Sequence, residues 1–201
     1  MAVAIPFILV QKNFRRLLAY SSIDHSGIML LALGFGGPLG VLGMLLHMTF
    51  HSVIKPLLFF CAGNVQQRLK TDLFSQVKGG VIHSMPFTGA AFLMVTLAVT
   101  GSPPFSLFQS EFTILRAGFG GGYSVLAVFF VAFLVVIFSG FLVHIANLVL
   151  GESSTLPPAR SCPWKKYSVA GLAAAVVVMG FWIPSTLFGL IERAAGIVIG
   201  G

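Results

Sequence analysis

The sequence is poor in charge. Only 8% of its 201 residues are charged, and acidic residues number just five. Soluble domains carry roughly a quarter charged residues, so this chain cannot coat a globule with solvated side chains. Disorder is excluded as well, because its signature is low hydrophobicity. Cysteine is scarce too. Cys61 and Cys162 are the two present, and they do not form a CxxC pair. Both fall near the cytoplasmic side of the topology derived below, where disulfides are disfavoured, and they are read as free thiols. No GxSxG elbow, glycine-rich phosphate loop or cysteine cluster occurs. The chain is therefore expected to hold no catalytic residue, no redox centre, no cofactor and no metal of its own.

What is abundant is apolar surface. Hydrophobic residues make up 57% of the sequence, and the mean hydropathy is +0.98. Long apolar runs in such a chain are helices, because lipid offers no partner to unpaired backbone groups. The expected fold is all-α: a polytopic transmembrane helix bundle forming one membrane domain over residues 1–201. Spans are placed at 17–36, 38–62, 85–119, 122–150 and 164–190. Residues 1–10 are apolar but too short to cross, since a crossing takes about 20 residues. With no basic stretch before them and no cleavage site after, they do not read as a signal peptide. They read as the end of a truncated helix.

The third run is unusual. It is roughly 35 residues long, about 50 Å as a helix, which is too long for one straight crossing and too short for two. Gly101, Ser102, Pro103 and Pro104 interrupt it. A single crossing made of two half-helices fits that length. Basic residues agree. One crossing puts Lys12, Arg15, Arg16, Arg68, Lys70, Lys78, Arg160, Lys165 and Lys166 on one side and Arg116 and Arg193 on the other. Two crossings would weaken that asymmetry. The basic side is expected to be cytoplasmic. The excess of Lys and Arg thus marks a membrane face, and no nucleic-acid partner is expected. Trp164, Tyr167 and Trp182 suit interfacial positions near the ends of the last span.

Ionisable residues at membrane depth are costly, so each is a functional candidate. His47, His51 and Lys55 lie four apart on the second span. Positions at that spacing drift by about 40° and share one face over roughly 12 Å. Histidine can both donate and accept, so it can relay a proton that a lysine releases. Pro56 frees the Ser52 carbonyl beside Lys55. HxxxH lacks the glutamate of HExxH and a third ligand, which argues against zinc; buried structural polar residues are the plainer alternative. Glu111 follows the Gly101–Pro104 break by about two turns. A broken helix with a carboxylate beyond it is a transport-type feature; the alternative is a pairing of Glu111 with Arg116. Asp24 and His25 on the first span either extend a proton path or hydrogen-bond a neighbouring helix. His144 is read as snorkelling or structural.

Three segments resemble a known family. They are residues 13–27 (NFRRLLAYSSIDHSG), 47–64 (HMTFHSVIKPLLFFCAGN) and 102–112 (SPPFSLFQSEF). Together, and in this order, they are similar to the antiporter-like membrane subunits of respiratory complex I and of the group 4 membrane-bound hydrogenases. Their finer texture is most like hydrogenase-4 component F. The resemblance implies a proton-translocating subunit of a hydrogenase or NADH dehydrogenase-like complex, multi-pass in the inner (cytoplasmic) membrane. Its partners would be other membrane subunits of that assembly. It implies that Lys55 sits on a central hydrophilic axis and that Glu111, on the discontinuous helix, leads outward. Family members carry two inverted repeats. Only the second repeat and a closing helix are matched, so a truncated or split subunit is expected. A non-pumping structural subunit and a subunit of a multi-subunit sodium/proton antiporter are the alternatives.

Overall fold

A computed structural model describes residues 1–77, 80–151 and 163–200. The helices are α1 (Ala4–Leu9), α2 (Phe14–Phe35), α3 (Gly37–Leu69), α4 (Val81–Ser84), α5 (Pro86–Val99), α6 (Ser106–Gly120), α7 (Ser124–Leu150), α8 (Pro163–Phe181) and α9 (Ser185–Gly200). No strand occurs among the described residues. The fold is an all-α polytopic membrane bundle.

Local chemistry sets the ends of these helices. Asn13 caps α2 by accepting the Arg16 amide at 3.1 Å, which satisfies one of the first-turn donors. Gly36 alone separates α2 from α3, so the two are antiparallel neighbours. Pro38 fits the first turn of α3, where no amide partner is needed. The α3 helix runs 33 residues, past the expected end at residue 62, because no proline lies between Ala62 and Leu69 to stop it. Pro56 lies inside it.

At the centre stands α3, packed against α2, α5, α6, α8 and α9. The approach of α3 to α6 is tight. A Cβ added to Gly43 would come within 2.7 Å of Ile114. The outer helices are apolar on their exposed side instead. Among them α7 carries no charged residue along its 27 positions, and Val125, Val128 and Phe129 are exposed. That is a lipid-facing pattern, not a water-facing one.

The third apolar run is broken. Its halves, α5 and α6, hold 14 and 15 residues, each too short to cross a bilayer alone. The turn between them contains the expected Gly101–Pro104 segment, with a cis peptide between Pro103 and Pro104. A second break departs from expectation. The run placed as one span over 164–190 stops at Phe181 and resumes at Ser185 with a 70° bend. Pro184 is the physical reason: it cannot donate to a helical carbonyl, and it disfavours the helical conformation of the residue before it. The helix then continues to Gly200.

Basic residues gather at one end. Phe14 donates to the Asp72 carbonyl and Phe74 to the Lys12 carbonyl, both at 3.0 Å. This ties the Lys12–Arg16 segment to the loop after α3. Lys165 hydrogen-bonds Gln67 at the same end. Arg116 lines a cleft beside the α2–α3 turn instead. Lys78, Arg160 and Cys162 lie outside the described residues.

The close α3–α6 contact yields a stability prediction. Gly43→Ala should cost about 1–3 kcal/mol through overpacking. Thermal unfolding in detergent should show the loss, while Gly63→Ala, with open space around its Cβ position, should not.

Candidate functional site

The candidate residues converge between α2, α3 and the α5–α6 break. Asp24, His25, His47, Lys55 and Glu111 are all buried, as are Ser21 and Ser110. The four-residue spacing on α3 does place His47, His51 and Lys55 along the side that meets α2. His25 completes the cluster from α2. Its Nδ1 lies 3.0 Å from His47 Nε2, and its ring centroid is 4.8 Å from that of His51. His51 Nε2 is buried without a hydrogen-bond partner.

Lys55 is held by backbone and hydroxyl oxygen. Its Nζ donates to the Leu18 carbonyl at 3.2 Å and to Ser21 Oγ at 2.6 Å. Ser21 in turn donates to the same carbonyl at 2.8 Å. No ion pair joins Lys55 to Asp24 among the described residues. Asp24 Oδ1 has no hydrogen-bond partner.

Asp24 and Glu111 share a small cavity with Ser21, His25 and Thr100. About 20 Å³ of it is available to the centre of a water molecule, enough for one bound water with polar partners on several sides. On its other side Glu111 borders an apolar recess of about 250 Å³ between α6 and α7, lined by Phe108, Phe112 and Phe130. Glu111 does not pair with Arg116, which is exposed; the carboxylate is turned inward to Gly101 instead. Gly101 has φ +68°, and a Cβ there would fall on the Glu111 carboxylate. The break therefore needs glycine twice over: for its left-handed backbone and for the space the carboxylate occupies.

Several contacts were not legible in the motifs. Ser110 Oγ lies 3.0 Å from His47 Nδ1, so α6 touches the histidine cluster directly. Gln109 donates to the Gly180 carbonyl at 2.9 Å, which joins the first half-helix pair to the second break. His144 matches the structural alternative: its Nδ1 meets the Gly140 carbonyl at 2.6 Å, and its ring packs on Phe74. Cys61 is a buried free thiol. Among the described residues no three His, Cys, Asp or Glu side chains are placed to hold a metal ion together.

The site is a His/Lys row on a central helix beside a buried carboxylate on a broken helix, within a membrane bundle. Comparison with known proteins places it. Residues 3–138 match the family described as NADH:quinone oxidoreductase/Mrp antiporter, transmembrane, and the chain belongs to that family. It is 38% identical over 109 residues to a hydrogenase-4 component F homologue of Methylacidiphilum infernorum, an alignment covering 54% of this chain and 23% of the relative. A chain of the membrane-bound sulfane sulfur reductase, an archaeal respiratory membrane complex, superposes with a TM-score of 0.86 at 26% identity; 98% of this chain and 39% of that one are covered. A chain of the Mrp complex from Dietzia sp. shares the fold, with a TM-score of 0.86 at 18% identity over 96% of this chain and 44% of its own. The chain thus spans less than half the length of the proteins it matches.

The Gly101 geometry predicts a selective effect. Gly101→Ala should cost about 1–2 kcal/mol from the left-handed backbone alone. Gly120→Ala, with open space at the Cβ position, should leave the melting temperature in detergent unchanged.

Proposed function

We propose that this chain is a proton-translocating antiporter-like subunit of a membrane-bound hydrogenase or NADH dehydrogenase-like complex. Lys55, His47, His51 and His25 form the relay, with Asp24 as a side group and Glu111 as the outward group. The observation that carries this reading is the gathering of two buried polar groups, Lys55–Ser21 and His25–His47–Ser110, around one small cavity that Ser21, Asp24, His25 and Glu111 line at the break. Chemistry of that kind suits protons: histidines can donate and accept, and a cavity of one-water size can bridge two carboxylates. The chain would work with helices equivalent to the first repeat of its longer relatives and with other membrane subunits. Its setting would be the inner, cytoplasmic membrane, with the Lys12–Arg16 end on the cytoplasmic side.

A second reading is favoured by the family description itself, which includes the Mrp antiporter: a subunit of a multi-subunit sodium/proton antiporter, without a redox arm.

Proton uptake by vesicles carrying the partner complex separates these. Lys55→Met and Glu111→Gln should each lower electron-driven uptake by more than about tenfold, as expected for loss of a proton-transfer group. Unchanged pumping in both variants would mean a structural subunit. Proton movement driven by a sodium gradient, with no electron donor present, would favour the antiporter reading.

A further inference from the structure

Glu111 stands between two spaces of unequal size. Its side chain is 7% exposed, and among the described residues the carboxylate makes no hydrogen bond and no ion pair. No cation of the bundle reaches it. Lys55 is taken by Leu18 and Ser21, and Arg116 lines the cleft beside the α2–α3 turn. Unlike Asp24 Oδ1, neither Glu111 oxygen is sealed off by protein. Inward lies the cavity of about 20 Å³, where one bound water can meet the carboxylate. Outward lies the recess of about 250 Å³, far larger than a water requires.

The recess is apolar almost throughout. Apart from Thr100, Glu111 is the one polar side chain on its wall, and Phe108, Phe112, Phe130 and Phe138 supply four phenyl rings. Phe130 is buried and forms the floor. Phe108 and Phe112 stack with their ring centroids 6.2 Å apart, and both are exposed, as are Val131 and Val135 across from them on α7. These exposed side chains continue the lipid-facing surface of α7, so the mouth opens sideways into the hydrocarbon layer. Gly101, against which the carboxylate rests, lines the same recess.

These walls select the occupant. A carboxylate taken out of water is costly unless it is paired, and a positive head supplies the partner that the bundle does not. Phenyl faces also attract a cation. A polar solute has no route through the lipid to this mouth, whereas a molecule with an apolar body does. A lipid acyl chain would cover the rings and leave the carboxylate unmet.

We propose that the recess between α6 and α7 is a binding site, entered from the lipid, for a lipophilic amine whose head pairs with Glu111 and whose apolar body lies on Phe108, Phe112 and Phe130. No covalent step is involved. The amine N–H donates to a Glu111 oxygen, and the pair carries no net charge whichever partner holds the proton, which suits its depth in the membrane. With the amine in place, that oxygen is no longer free to exchange a proton with the inner cavity. This last consequence rests on Glu111 as the outward group; the site itself does not.

Photo-labelling tests the site, using 4-phenylbutylamine with a diazirine on its ring and vesicles that carry the partner complex. Mass spectrometry should find the label on the α6 and α7 residues that line the recess. Unlabelled 4-phenylbutylamine should displace it, and 4-phenylbutanol at the same concentration should not. Glu111→Gln should lower the labelling about tenfold or more, the weight of a hydrogen bond to a charged group. Val131→Trp keeps the carboxylate and fills the recess from its exposed, lipid-facing side, and it should abolish labelling. Equal displacement by the alcohol overturns the proposal, since the recess would then be an apolar slot. Unchanged labelling in Glu111→Gln overturns it too. So does the absence of label from the recess, which would mean that a neighbouring helix fills it. Electron-driven proton uptake, measured with the unlabelled amine present, reads the other assignment. Specific labelling with undiminished uptake upholds the site and removes Glu111 from the outward path.

Discussion

The bond from Lys55 to the Leu18 carbonyl and the Ser21 hydroxyl is the contact around which the bundle is organised. An ammonium group inside a hydrocarbon layer has to find oxygen within the protein, because the lipid offers none. The oxygens it finds belong to α2, and Ser21 bonds the same Leu18 carbonyl. This fixes the rotation of α3 against α2. Once that rotation is set, the four-residue spacing carries His51 and His47 up the same interface and brings them to His25. The polar row is therefore one consequence of one anchoring contact rather than a set of separate sites.

The broken helices obey the same constraint. Irregular backbone at membrane depth is tolerated only inside protein or beside a cavity. The α5–α6 break meets it by lying against α3 and by enclosing the Glu111 carboxylate beside Gly101. The α8–α9 break meets it partly through its neighbour. Gln109, on the first turns of α6, supplies a donor to the Gly180 carbonyl just before the second break. Gly180 itself lies so close to the Pro104 carbonyl that a Cβ would come within 2.6 Å. Each break thus sits against the other, and neither exposes its loosened backbone to lipid at that contact.

Much of this was legible in the residues. The His47, His51 and Lys55 spacing set their shared face, and the Gly101–Pro104 run marked the first break, because helix periodicity and proline chemistry are local properties. Other features depend on which helix lies opposite. Ser21 and Ser110 are ordinary serines in the sequence; only packing aims one at Lys55 and the other at His47. The inward turn of Glu111 toward Gly101, rather than toward Arg116, is likewise a tertiary fact, since five residues along a helix do not point the same way. The second break carried a weaker local signal. A single Pro184 inside an apolar run reads as a tolerable kink, whereas glycine, serine and two prolines in succession do not.

Asp24 occupies the position where these threads meet. It shares a cavity with Glu111 and lies on α2, the helix that holds Lys55, yet it pairs directly with neither among the described residues. A carboxylate placed so is sensitive to the charge state of both neighbours. Its Oδ1, unpartnered within the protein, faces a cavity of one-water size, where a bound water can supply the missing hydrogen bond.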